Sequence, residues 1–177
     1  MTAQKANPLE FRIGFIILPL AFFVITAALA ATFYGSLPDE VYYRFAADGD
    51  PSSGLVSKGT AVLVILAVQA VLLGLSFLLT YRVGKSRFFN ENLHNFWFDP
   101  TRLLKLMGNM PAIIQVILTY AFLDIIIYHS EGSHFVAVWI FALATLLVGG
   151  VIMFIYALPI FRQALRGFNE MDKDKKE

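Results

Sequence analysis

Four long apolar stretches, residues 13–34, 60–81, 111–128 and 135–161, leave this chain little choice of solvent. A bilayer core about 30 Å thick is crossed by about 20 residues of helix, and each stretch comes close to that length or exceeds it. In lipid, a helix satisfies every backbone N–H and C=O within one segment, which a lone extended segment does not do. The expectation is therefore an all-α integral membrane protein, with four transmembrane helices in a bundle and residues 1–177 forming one domain. With 58% of residues apolar and 15% charged, the chain lies outside the usual balance of a soluble domain. Lys5 and Arg12 ahead of the first run, with "ALA" at 28–30, also resemble a signal peptide. The run continues apolar through Phe33 and Tyr34, which favours an uncut helix.

Basic residues set the expected orientation, because Lys and Arg in short connections resist translocation. Of the 14, 12 fall in the two tails and the connection after the second span, whereas Arg44 and Lys58 alone lie in the outer loop, residues 35–59. Both termini are thus expected inside, and the 35–59 loop outside, where it carries Asp39, Glu40, Asp48 and Asp50. That loop reads "GSLPDEVYYRFAADGDPSSGLVSKG". Val41, Tyr43 and Phe45 alternate with Tyr42 and Arg44, which suits a short extended segment, and "AADGDPSSG" supplies a turn. A small hairpin-like cap over the bundle is expected.

The interfacial segment, residues 88–110, combines Phe88, Phe89, Phe96, Trp97 and Phe98 with basic neighbours, a pattern suited to the membrane surface. Asp99 and Pro100 form a helix start. Leu103, Leu104, Met107 and Met110 share one face of the helix that follows, so an amphipathic interfacial helix is expected between spans two and three. Within the spans, the pairs Ala27 and Ala31, Ala70 and Gly74, and Thr145 and Gly149 place small residues four apart, as close helix packing in lipid requires. Pro19 is expected to kink the first helix or thin its start, and Pro159 to end or bend the fourth. Tyr34, Tyr81, Tyr128 and Trp139 suit interfacial anchoring.

Asp124 is the ionisable side chain inside a span, with Tyr120 and Tyr128 one turn to either side. A carboxyl group at that depth has to be neutral, hydrogen-bonded or paired with a cation. Tyr120, Tyr128, His129, His134 and Arg44 are the candidate partners. Two readings stand, a functional acid reached by interfacial water and a structural tether between the third helix and the outer loop. Gln69 and Gln115 lie deeper and suit hydrogen bonds between helices.

Other chemistries find little support. His94, His129 and His134 are not placed on facing helices at matching depth, as haem ligation in a bundle needs. His129, His134 and Glu131 match no strong zinc spacing, and "DGD" at 48–50 lacks the spacing of a calcium loop. There is no phosphate-binding glycine loop, nucleophile elbow or HExxH, so neither an enzyme nor a cofactor is expected. The absence of cysteine removes thiolate chemistry. The partners expected are the lipid bilayer and other membrane protein subunits, and nucleic acid is not among them.

The pattern of Leu37, Pro38, Val41, Arg44, Phe45, Gly49, Pro51, Ser57 and Lys58 between two spans resembles a bacterial and archaeal membrane domain of unknown function. That domain stands at the N-terminus of the sporulation-delay toxin immunity protein family, and the match covers about residues 13–85. Tyr42 and Arg44 stand where the family commonly has proline and histidine. The resemblance implies a small multi-span protein of the prokaryotic cytoplasmic membrane, non-enzymatic, sensing, conferring immunity or signalling at the outer face. The alternative is an accessory or anchoring subunit of a larger membrane complex. Arg44, Asp48, Asp124, His129 and His134 are the candidate polar residues.

Overall fold

The computed structural model describes residues 10–43, 45–46, 50–51, 54–86 and 99–174. Along them run a 3-10 turn (Ile13–Phe15), α1 (Ile17–Phe33), β1 (Glu40–Tyr42), β2 (Leu55–Ser57), α2 (Lys58–Lys85), α3 (Pro100–Asn109), α4 (Ala112–Glu131) and α5 (Val138–Asp174). Three segments, Lys58–Lys85, Pro100–Glu131 and Val138–Pro159, are long and apolar enough to cross a membrane, and α1 is a shorter apolar helix. These define a helical, membrane-embedded protein. Arg44, Asp48, Gly49 and residues 88–98 of the interfacial segment lie outside the described residues.

Local sequence explains the boundaries. Ser57 closes β2 and caps α2, its hydroxyl accepting from the Thr60 N–H at 3.2 Å, so strand passes into helix without a linker. Asp99 caps α3 in the same way through the Thr101 N–H at 2.9 Å, with Pro100 in the first turn, as the sequence predicts. Gly132 ends α4 with φ of 72°, a left-handed position that glycine takes without strain. Pro19 is the third residue of α1, not an interior one, because the helix begins at Ile17 after the 3-10 turn. Its missing N–H falls among donors that have no intrahelical partner anyway, so the thinned start is seen and no break is needed. Pro159 does not end α5, which runs on to Asp174.

α1, α2 and α4 pack together as the core, and α5 lies alongside, its principal neighbours being α4 and α3. The arrangement is three helices plus a flanking fourth, not four equal members. The packing seams also differ from the small-residue pairs. Ala70 and Gly74 face outward, and the buried line of α2 is Gln69, Ser76 and Thr80. On α1, Thr26 and Ala30 are buried while Ala31 is exposed. Lipid tails solvate apolar side chains well but leave polar ones unsatisfied, so the polar residues turn inward. Gly149 does meet a neighbour, since a Cβ there would lie 2.9 Å from Ile113 Cδ1.

The two ends of the bundle are closed differently. At one end the antiparallel hairpin, with Val41 opposite Val56, docks Leu37 and Val41 against Ala30, Ala61, Phe122, Ile125 and Ile126. Val41 is buried but Tyr43 is exposed, so the expected alternation stops at Tyr42, where the strand ends. Phe45 regains the inner side through a bridge to Pro51. At the other end α3 presses on the 3-10 turn and on α2, burying Leu104 and Gly108 with Phe15 and Ile16. Met110, expected on that face, is 60% exposed because the helix ends at Asn109. Gly108 is the closest approach: a Cβ there would stand 2.1 Å from Phe15 O and 2.6 Å from Thr80 Cγ2. Beside it, Asn109 Oδ1 accepts from the Leu18 N–H at 3.0 Å, one of the unpaired donors of the first turn of α1, and Nδ2 donates to Gly14 O at 3.3 Å.

Candidate functional site

Asp124 lies in α4, seven residues or about 10 Å before its end, and its side chain is 1% exposed. Its Oδ2 meets His134 Nδ1 at 2.8 Å. The access to interfacial water expected from sequence is not seen at this burial, because His134 of the α4–α5 connection lies over the carboxyl group. Oδ1 has no hydrogen-bond partner among the described residues.

The ring of His134 is held between two aromatics. Tyr128 stacks on it at 4.8 Å between centroids, and Phe45 of the hairpin meets it edge-on at 4.5 Å. Phe45 and Tyr128 touch each other at 4.9 Å. One helical turn before Asp124, the Tyr120 hydroxyl donates to Val136 O at 2.5 Å and accepts from Val136 N–H at 3.1 Å. Asp124 and Tyr120 therefore clip the connection between α4 and α5 onto α4 itself. The tether expected between the third helix and the 35–59 loop exists in another form, running to residues 134–136 and reaching the hairpin through Phe45.

His129 supplies a second tie. Its Nδ1 lies 2.8 Å from Ile125 O, a carbonyl that can only accept, so the ring proton is on Nδ1. That leaves Nε2 as the acceptor for the Tyr42 N–H at 3.3 Å, with the Tyr42 ring stacked at 6.1 Å. Both bonds together require the neutral ring in one tautomer. Both ring nitrogens of His129 are thus engaged, and no group of three His, Asp or Glu side chains suited to a metal ion occurs among the described residues.

Among the described residues, those that the family pattern singles out build this cap. Leu37 and Val41 are buried in it, Pro38 is exposed beside them, Phe45 covers His134, and Ser57 caps α2. Lys58 donates to Leu37 O at 3.2 Å and pairs with Asp39 at 3.1 Å. Asp39 is 98% exposed, so that pair adds little; the bond to Leu37 O and the Lys58 N–H donating to Asp39 O at 2.9 Å tie the turn after α1 to the start of α2.

A second polar cluster joins the three core helices nearer mid-span. Gln69 Nε2 donates to Thr26 Oγ1 at 2.9 Å and Thr119 Oγ1 at 3.2 Å, while Gln115 Nε2 donates to Gln69 O at 3.0 Å. The two hydroxyls are within donating distance of Phe22 O and Gln115 O and lie 2.8 Å apart, so either can turn its proton to the other instead, and both accept from Gln69 Nε2. The glutamines were legible as helix-to-helix contacts, but Thr26 and Thr119 were missed. Their common depth was the available signal.

The fold and cluster define a class: a small helical membrane protein with a hairpin lid over a buried carboxyl–imidazole pair. Comparison with protein-family models, curated proteins and solved structures found no match. The likeness to the immunity-protein domain therefore rests on its motif residues alone.

Proposed function

We infer that this chain is a four-span protein of the prokaryotic cytoplasmic membrane with both termini inside, and that it acts without catalysis as a sensor or binder at its outer face. The basic residues favour that orientation, with 12 of the 14 on the side away from the hairpin. α1, at 17 residues or about 26 Å, crosses when the 3-10 turn before it is included.

One observation carries the sensing role. The most expensive side chain in the spans, Asp124, is buried directly beneath the hairpin, with one oxygen on His134 and the other without a partner among the described residues. A ligand or partner protein that engages the hairpin acts on Phe45, and Phe45 rests on the imidazole that holds Asp124. Seating and unseating of the lid thus changes the surroundings of a buried carboxyl group, which supplies the differential interaction that a switch requires. The likeness of residues 13–85 to the immunity-protein domain supports the same reading, since its motif residues Leu37, Val41 and Phe45 belong to this lid.

The test is complementation of a deletion strain by alleles carrying Arg44→Gln, Asp48→Asn or Asp124→Asn, with the folded protein quantified in each. Loss of the phenotype with normal protein levels supports the role, and full complementation by all three overturns it. Because the chain has no cysteine, topology is read separately by labelling Tyr43→Cys and Ser86→Cys with an impermeant maleimide. Labelling from outside at Tyr43 alone fits this orientation.

A second reading, an accessory or anchoring subunit, is favoured by the outward-facing Ala70 and Gly74 of α2, where no other side chain among the described residues packs on Gly74. Gentle extraction decides it: a lone species of 19.8 kDa per chain counts against a complex.

A further inference from the structure

α1 and α5 both line a cavity of about 800 Å³, together with residues of α3 and α4. Small side chains keep it open, with Gly14, Ala112, Ala144 and Gly149 all on its lining. Its walls are otherwise largely aliphatic and aromatic, and no Asp or Glu among the described residues lines it. The polar groups are unevenly placed. Asn109 is spent on Leu18, Gly14 and Lys105 backbone groups, so the charge left to offer is Lys105, exposed at the α3 end and in no ion pair among the described residues. Its neighbour Arg102, by contrast, is paired with Asp99. Tyr156 stands at the same end of the cavity on α5.

We propose that this groove holds one anionic glycerophospholipid of the leaflet on the α3 side, with an acyl chain along α5 and the phosphate at Lys105. Length supports that occupant. From Tyr156 to Ala144 along α5 the lining covers about 18 Å, little more than half of a hydrocarbon core about 30 Å thick, the depth of one leaflet. Charge supports it as well, because a cation at the headgroup level above an uncharged apolar wall matches an amphiphile with an anionic head. A helix from a partner subunit would have to satisfy the same lysine with an acid at one position. A second copy of this chain would bring its own cationic α3 end against it. The inference is independent of the role proposed for the hairpin, which lies at the other end of the bundle.

Native mass spectrometry of the full-length protein, titrated in detergent with phosphatidylglycerol or phosphatidylcholine of identical chains, tests it. The wild type should retain a single phosphatidylglycerol in preference to phosphatidylcholine. Lys105→Gln should reduce that preference about fivefold, and Lys105→Arg should keep it. Ala144→Trp fills the groove and should remove retention of either lipid while the unfolding midpoint stays near wild type. Equal retention of the two lipids by the wild type, or a preference unchanged in Lys105→Gln, reduces the groove to ordinary lipid contact and overturns the proposal. A dimer that disappears in Ala144→Trp overturns it in favour of a second copy.

Discussion

Replacing Gly108 by alanine is the sharpest test of how the α3 end is built. The added Cβ would stand 2.1 Å from Phe15 O, whereas a carbon to carbonyl-oxygen contact is ordinarily about 3.4 Å, so α3 and the 3-10 turn must part by about 1.3 Å. Thr80 Cγ2, 2.6 Å away on α2, blocks a sideways escape. Withdrawal stretches the two Asn109 bonds, now 3.0 and 3.3 Å, past hydrogen-bonding range, a loss of about 2 kcal/mol. Staying in place stores overpacking strain of about 1–3 kcal/mol. Alanine returns about 1 kcal/mol of helix propensity, leaving a net destabilisation of up to about 2 kcal/mol by either route. Gly74→Ala is the matched control, since nothing lies within 4 Å of a Cβ there, and it should gain up to about 1 kcal/mol. Reversible unfolding in mixed micelles, followed by circular dichroism, reads both. Stabilities of the two variants within about 0.5 kcal/mol of each other would refute the close contact of α3 with the turn.

Three further outcomes follow from the hairpin end. Asp124→Asn and His134→Phe, combined in a double-mutant cycle, should show a coupling of about 1–2 kcal/mol, given the 2.8 Å buried contact, and additive effects would mean that the pair does not interact. His129→Leu removes the acceptor of the Tyr42 N–H, so hydrogen exchange should accelerate at residues 40–43; an unchanged rate would mean that packing alone holds the strand. Ser57→Ala deletes the cap of α2 and should lower stability by about 1 kcal/mol, whereas Ser57→Asp should preserve it.

How far the candidate site was legible differs residue by residue. Asp124 stood out because a carboxyl group inside an apolar run has few permitted states, and His134 was among its nameable partners for the same reason. The pairing itself was not legible. Tyr120, Tyr128 and His129 are all nearer in sequence than His134, and the choice among them depends on the path of the chain after Gly132. Tyr120 turns to Val136, Tyr128 stacks, and His129 faces the hairpin. Phe45 entered as one position of a family pattern, and only the bridge to Pro51 places it against the imidazole.

The sequence by itself determined the solvent, the helices and their caps. Those are consequences of local runs: apolar length against bilayer thickness, Ser57 and Asp99 before helix starts, glycine after a helix end. Tertiary structure decided which faces meet. In lipid no hydrophobic force selects a face, so small residues were a weak guide on α1 and α2, where Thr26, Gln69, Ser76 and Thr80 went inward instead. It also decided that α3 is wedged against the 3-10 turn at Gly108, and that α5 stands far enough from α1 to leave a groove. Both depend on contacts between residues far apart in the chain, about 90 positions for Leu18 with Asn109 and 36 for Gly149 with Ile113, which no local pattern encodes.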